Sequence, residues 1–472
     1  MILNSLNRLV IAFLICIAIY GCRQKLNTVD KPQVDQRVEL ISIVFRLADS
    51  QEYSSERFKL YTDRIQAHYQ PYKNHPLIEF VKKLRKQNNI GYDAPMYMAI
   101  HLDKDLEPLV EFTEKVPDQR WGKENAREFV RLLNSFYEES KSEKFFNDNE
   151  LFYRQTSERF MPVYRKLDLN WYRSFYGHPA NEKFHIVNGL ANGPGNYGPA
   201  INHSDGRREV YAIMGTWSTD SLGMAKFPLE NYFPILLHEF NHSFVNALLE
   251  KKSNLFKKNG EILYRSVEKE MKNQAYGNWQ TMLNEALVRA AVIKYMKDHD
   301  FDPQQIQKET NAQLSRGFFW IQDLVTELEK YDTSRKEYST LDEYILKIAD
   351  AYMGYAKNID TYKQDFDKKR PKVITISEFS NGDRQVSPTL KKVTISFDQP
   401  LTGEGYSFNY GEKGQAAFPA IENVTYSEDK KSIFIEWNLE SHKEYQLVLT
   451  GVSFKNSKDV AINDYPISFK TE

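Results

Sequence analysis

The chain has 472 residues, 41% of them hydrophobic, with a formal net charge of −1, a length that can bury more than one core. Near-neutral charge gives no hint of a nucleic-acid partner, and there is no basic stripe interleaved with aromatics, so none is expected. Cys16 and Cys22 are the only cysteines, so the chain beyond them has no disulfide, no thiolate metal site and no cysteine nucleophile.

Residues 1–22 read as a targeting segment. Arg8 precedes the apolar run Leu9 to Tyr20, twelve residues, too short to span a bilayer but suited to a signal-peptide core. The Gly21-Cys22 step that follows resembles a bacterial lipobox, which implies that Cys22 is lipidated and becomes the mature N-terminus. Tyr20 departs from the usual box, and an ordinary secretory signal is the alternative. Residues 23–36, polar and containing Pro32, are expected to form a linker between lipid and body. No acidic run follows Cys22, which points to the cell envelope: a lipid anchor in a bacterial outer membrane, on its periplasmic side.

Residues 37–368 read as one mainly helical region. Val38, Leu40, Ile41, Val44, Phe45 and Leu47 make one apolar face, and Pro76 to Leu84 opens another helix. A further helix is expected over Asn125 to Phe146, with Phe129, Leu132, Leu133 and Phe136 at helical spacing and Asn125 as its N-cap. His68, His75 and His101 have no partner spacing and read as ordinary surface or core histidines. The period then changes. Lys183 to Asn188 and Glu209 to Gly215 read as the two strands of a long hairpin around the glycine-rich loop Gly189 to Gly198. That loop spells Gly-x-Gly-x-x-Gly from Gly193. No helix opens after it to hold a pyrophosphate, so dinucleotide binding is excluded.

Leu236 to Phe244 contains His238-Glu239-Phe240-Asn241-His242 within an apolar, helical run. Residues four apart stand one above the other on a helix, so the two imidazoles can share one divalent ion. Glu239, beside the first, can then take a proton from a water on that ion. The bland alternative is a helix with two core histidines and a stray acid. Glu250 to Lys272 is a charged, helical insertion, expected to be a lid over a cleft or simply a solvated face. In the next apolar helix, Trp279 to Ala291, Glu285 stands alone among Leu283, Leu287, Ala290 and Ala291. Two histidines and one carboxylate make a common catalytic zinc set. Arg289, one turn on, could orient that carboxylate or bind a substrate carboxylate; an exposed Glu–Arg pair is the plain alternative.

His-Glu-x-x-His followed by Asn284-Glu285 on a later helix resembles the gluzincin class of zinc metallopeptidases. HEFNHSFVN with a downstream NEALVRA resembles, more closely, an uncharacterised family of bacterial lipoproteins described as metallopeptidases; the likeness is specific over about residues 230 to 295. It implies Zn2+ held by His238, His242 and Glu285, with Glu239 as general base. Tyr276, His203 and Tyr197 are the candidates for stabilising the oxyanion. In such peptidases the edge of a small sheet pairs with extended substrate backbone, and the Gly189–Gly198 loop is the place for that; a plain long hairpin is the alternative.

Leu314 to Tyr331 and Leu341 to Tyr355 read as further helices. Charge and Pro371 mark a boundary over Asp365 to Lys372. Residues 369–472 then alternate: Val373–Ile376, Val393–Phe397, Val424–Tyr426, Ile433–Trp437, Tyr445–Leu449 and Ile467–Phe469. About seven short strands fit a β-sandwich resembling the bacterial Ig-like modules appended to exported enzymes, here without a cysteine pair. Such a module serves as a spacer or makes glycan or protein contacts.

The fold expected is therefore α+β: a mainly helical, zincin-like region with a small sheet, then an all-β Ig-like sandwich. The expected function is zinc-dependent hydrolysis of peptide or protein substrate at the cell envelope. The alternatives are a non-catalytic peptide- or glycan-binding envelope lipoprotein with a degenerate zincin fold, a hydrolase of some other amide, and a fortuitous motif.

Overall fold

The computed structural model describes residues 29–178 and 182–472; the targeting segment, Cys22 and the first part of the linker lie outside the described residues. The chain is α+β. It divides into two compact units, 1–247 and 248–472, and the division falls inside one long helix.

The first unit begins with helices. α1 (Gln36–Leu47) is capped by the Asp35 side chain on the Arg37 amide and buried along most of its length. α2 (Lys59–Tyr69), α3 (Pro76–Asn88) and α4 (Ala94–Ile100) follow. His75 caps α3, its Nδ1 accepting from the Leu77 amide at 3.1 Å, and His101 closes α4. The single helix expected over 125–146 is two, α5 (Lys123–Glu139) and α6 (Ser142–Tyr164), because Lys141 turns the chain through a positive φ of 53°. Asn125 is not the cap. α5 starts earlier, behind Gly122, and the Asn125 side chain turns back to donate to the Trp121 carbonyl at 3.0 Å. α7 (Leu169–Tyr176) leads to the sheet.

That sheet corrects the hairpin expectation. β1 (Glu182–Gly189) and β3 (Arg208–Gly215) are parallel neighbours in the order β1-β3-β2, and β2 (Ala200–Asn202) runs antiparallel to β3. The glycine-rich loop carries the chain back past the strand end, so that β3 re-enters in the direction of β1; the true hairpin is β2–β3. β1 is buried from Phe184 to Gly189 without alternation, the pattern of a strand covered on both faces. The linker expectation is also corrected in its second half. Val29 and Gln33 bridge β1 at Phe184 and Val187, with the Asn188 amide donating to the Gln33 carbonyl at 2.8 Å. Buried backbone groups on β1's outer side need partners, and this segment supplies them. β2 is thereby the other edge of the sheet.

α8 (Leu229–Lys252) is the long helix at the division. Within the first unit, Phe240 packs on Phe184 of β1 with centroids 4.5 Å apart, and Phe244 stacks on Tyr176 at 4.4 Å. Tyr232 lies on Trp217 at 3.9 Å and donates its hydroxyl to the Gly215 carbonyl at 3.0 Å. These aromatic anchors, each worth roughly 0.5–1.5 kcal/mol beyond the area they bury, fix α8 against the sheet.

The second unit continues with α9 (Lys257–Ser266), α10 (Glu268–Lys272), α11 (Trp279–Asp298), α12 (Pro303–Ser315), α13 (Ile321–Thr333) and α14 (Leu341–Asp367). α11, capped by Asn278 on the Thr281 amide at 2.9 Å, is buried around its whole circumference from Leu287 to Met296, as the central helix of a cluster is. The charged insertion is amphipathic: Lys257, Lys258, Arg265, Lys269 and Lys272 are exposed and make the expected solvated face, while Phe256, Leu263, Val267 and Met271 are fully buried and Lys363 of α14 donates to the Ser266 carbonyl at 2.8 Å. Its apolar residues recur at steps of seven and four, a buried stripe hidden among lysines and glutamates. The helix expected over 314–331 is broken by Gly317, whose φ of +96° no helical residue adopts, and α14 runs past Tyr355 to Asp367.

Seven strands complete this unit: β4 (Val373–Ile376), β5 (Lys392–Phe397), β6 (Phe408–Tyr410), β7 (Ala420–Tyr426), β8 (Ser432–Asn438), β9 (Glu444–Leu449) and β10 (Tyr465–Lys470). They form a four-stranded sheet, β4-β5-β8-β7, and a three-stranded one, β10-β9-β6. Val393, Ile435 and Trp437 of the first meet Leu447, Ile467 and Phe469 of the second in one core. β6, three residues at an edge, is the strand too short to show alternation in sequence. Arg370, stacked on Phe366 and donating to the Ala461 carbonyl at 2.9 Å, ties α14 to this part.

Candidate metal centre

α8 presents His238 and His242 from consecutive turns, both half-buried. Their Nε2 atoms stand 3.0 Å apart, with ring planes at 87°. The other nitrogen of His242, Nδ1, lies 3.3 Å from the Asn246 side-chain oxygen. An Nδ1–H donated there turns the Nε2 lone pair toward His238, the outer contact that ligating histidines typically make. Asn241, wholly buried between them in sequence, accepts from the Tyr176 hydroxyl at 2.7 Å and donates to the Leu237 carbonyl at 2.9 Å. It locks the helix to α7.

Glu285 comes from α11 and is 7% exposed. Among the described residues, His238, His242 and Glu285 form the one group of potential ligands whose ligand atoms all lie within 4.8 Å of one another. Two donors on a single zinc, with bonds of about 2.0–2.1 Å, stand at most about 4.2 Å apart. The two nitrogens and one oxygen of this group suit zinc chemically.

Glu285 is held by its own unit. Its Oε2 accepts from the Tyr276 hydroxyl at 3.0 Å and from Arg289 Nη2 at 2.7 Å, and the same Nη2 donates to the Tyr276 oxygen at 2.8 Å. Arg289 Nη1 donates to Gln313 of α12 at 2.9 Å. Burial works against the Arg289 charge, yet Glu285 and Tyr276 hold its pKa above the ordinary value. Burial pushes the Tyr276 hydroxyl up to about 12. The exposed Glu–Arg pair does not describe this arrangement: both side chains are buried.

Glu239, half-buried, faces the sheet. A β-carbon built on Gly198 would overlap its Oε2 and lie 3.4 Å from its Cδ, so the backbone leading into β2 runs directly against this carboxylate. Gly198 is exposed and precedes β2, with Tyr197 paired to Ile213 of β3. The loop leading there is pinned at its start by Glu39 of α1, whose buried carboxylate accepts from the amides of Leu190, at 2.6 Å, and Ala191, at 3.2 Å. Burial raises that carboxyl to about 8. Sequence reading passed over Glu39, although one acid within the apolar run Val38 to Val44 was the signal available.

The other candidates for an oxyanion donor are placed elsewhere. His203 closes the β2–β3 turn, its Nε2 3.3 Å from Glu209. Glu209 in turn pairs with His185 at 2.8 Å, and His185 with Asp30 at 3.0 Å. His203 thus belongs to a charged cluster on the strands. The Tyr197 hydroxyl engages Tyr53. Tyr276 is the candidate that touches the triad.

A family model described as Domain of unknown function (DUF4932) matches residues 31–350. The chain belongs to that family. The DUF4932 span takes in the sheet, α8, α11 and every residue of the triad, and it ends within α14, before the β-strands of the second unit. Comparison with curated proteins gives no match. Among solved structures, similarity is found to "Structure of surface layer protein SbsC, domains 1-6", 14% identical over 50% of this chain and 33% of that one, with a TM-score of 0.16. A second is "Crystal structure of the N-terminal part of the bacterial S-layer protein SbsC", 13% identical over 51% and 58% of the two chains, with a TM-score of 0.17. The DUF4932 chain spans 33% of the length of the first, and scores this low carry no argument about fold. Among the described residues no helix is long and apolar enough to cross a membrane.

Proposed function

We propose that this protein is a zinc-dependent metallopeptidase of the cell envelope, with a zincin-like region and an Ig-like C-terminal sandwich. One observation carries the reading. Two imidazole nitrogens and a buried carboxylate converge, while a second carboxylate, Glu239, next to His238 in the chain, meets the backbone at Gly198 just before β2. His238, His242 and Glu285 would hold the ion, which when bound supplies Lewis acidity toward water and a carbonyl oxygen.

The chain's own residues do the rest. Glu239 takes the proton of the attacking water and delivers it to the nitrogen of the leaving amine. Gly198 and β2, at the sheet edge, offer backbone groups to an extended substrate in the manner of an added strand, and the missing side chain at 198 lets that backbone and Glu239 approach each other. Lipidation at Cys22 would anchor the enzyme to the membrane, and the sandwich would serve as spacer or as a glycan or protein contact.

The test is turnover of internally quenched peptide libraries by the purified chain and by Glu239→Gln. The wild type cleaves; the variant retains its metal and falls to background. A chain that holds zinc but cleaves nothing, wild type and variant alike, would instead support a non-catalytic peptide- or glycan-binding lipoprotein.

A further inference from the structure

We infer that Glu39 is a positioning residue for substrate: its buried carboxyl holds the loop from Gly189 to Gly198 in the path that brings the Gly198 backbone to an extended peptide. This rests on the peptidase reading above, and every residue it invokes lies in the first unit. The loop's ten residues, four of them glycine, have no ladder of their own and lose much entropy on ordering. Their path has to be imposed by neighbours.

Glu39 imposes it at the start. The side chain is fully buried in α1, and its two oxygens take two successive amides, Leu190 at 2.6 Å and Ala191 at 3.2 Å. The Tyr61 hydroxyl of α2 faces the same carboxyl and meets that of Tyr153 on α6 at 2.9 Å, so three helices stand behind the contact. Further along, Asn192 donates to the Gly195 carbonyl at 2.7 Å, and Asn196 accepts from the Gly215 amide at 3.1 Å. The end of β3 presses on the same stretch, for a β-carbon at Gly215 would overlap the carbonyl oxygens of Gly193 and Gly195. Tyr197 then exchanges both backbone bonds with Ile213, at 3.0 and 2.9 Å. By strand alternation the next residue, Gly198, turns its amide and carbonyl outward from β3, while its face meets Glu239. Glu239 itself rides on α8, which Phe240 and Tyr232 fasten to Phe184 and Trp217 without using the loop. Loosening the loop therefore displaces the backbone that receives the peptide and leaves the general base in place. Glu39 governs binding of the substrate, not the chemical step.

The experiment compares full-length wild type, Glu39→Gln and Glu39→Met, by kcat and KM on an extended quenched peptide and by hydrogen–deuterium exchange across residues 189–198. Glutamine keeps one acceptor oxygen. Methionine, of similar volume, keeps none and leaves both amides unpaired in the interior. KM is expected to rise in the order wild type, Gln, Met, by up to roughly 100-fold, with kcat near the wild-type value. Exchange at Leu190 and Ala191 should quicken in the same order while the amides of α8 keep their protection. If the methionine variant fails to fold, the glutamine variant decides alone. A fall in kcat at unchanged KM, or wild-type kinetics in both variants, would overturn the positioning role. Exchange that quickens throughout the first unit would overturn it too, since Glu39 would then support the fold as a whole. A wild type that cleaves nothing defeats the peptidase reading, and unchanged loop exchange in both variants defeats the hold of Glu39 on the loop, so the two failures are distinct.

Discussion

Replacing Gly198 by alanine should slow catalysis by about 100-fold without disturbing the fold or the metal. The added β-carbon falls inside the 3.0 Å that real β-carbons keep from any neighbour, and the atom it meets is the tip of Glu239. To recover an ordinary contact of about 3.5 Å, the carboxylate oxygen must retreat by about 1.3 Å. A misplacement of that size costs on the order of 100-fold in rate, or about 2.7 kcal/mol of barrier. Stability should hardly move. Gly198 is exposed and its φ is not positive, and the colliding atom ends a flexible side chain. The smaller unfolded-state entropy of alanine offsets part of any strain, by about 0.4–1 kcal/mol. The assay is kcat on a quenched peptide, alongside zinc content and the thermal midpoint. An alanine variant with wild-type kcat would refute the placement of Glu239 against the strand. A variant that lost its zinc would refute the claim that 198 acts through the general base alone.

Two further outcomes test the scaffold. Asn241→Ala leaves the buried Tyr176 hydroxyl without its acceptor and should destabilise the chain by about 1–3 kcal/mol in urea titration, whereas paired removal with Tyr176→Phe should recover part of that loss. Glu39 makes stability depend on pH. Its folded carboxyl sits at about 8 against an ordinary 4.5, so the folded state holds the extra proton, and stability present below pH 4.5 is lost as pH rises through that window to about 8. Glu39→Gln should flatten that slope in denaturant melts taken between pH 4.5 and 8; an unchanged slope would show that other groups set it.

What could be read from the sequence was local or compositional. The stacking of His238 over His242 follows from helix geometry, and Glu285 was visible as one acid in an apolar helix. The alternation after Pro371 marked every strand of the two C-terminal sheets long enough to alternate, and missed β6 at three residues. What escaped was set by distant partners. Whether β1 and β3 run parallel depends on the path of the chain between them, not on either strand's residues, since both read as buried apolar runs. The segment from Val29 to Gln33 is polar enough to pass for a linker, and only the unpaired edge of β1 draws it onto the sheet. Gly198 lies 41 positions before Glu239, and its glycine answers to that contact rather than to the turn chemistry of its own loop. Tyr276 was picked out for its nearness to Glu285 in sequence, but the hydrogen-bonding of its single proton decides what it can do.

The central claim is that three side chains hold one divalent ion, and its most direct test is elemental analysis of the purified chain. The account predicts one zinc per wild-type molecule, kept by Glu239→Gln and lost or greatly weakened in His242→Ala and Glu285→Ala. A metal-free wild type after exposure to zinc, or full retention in Glu285→Ala, would contradict it.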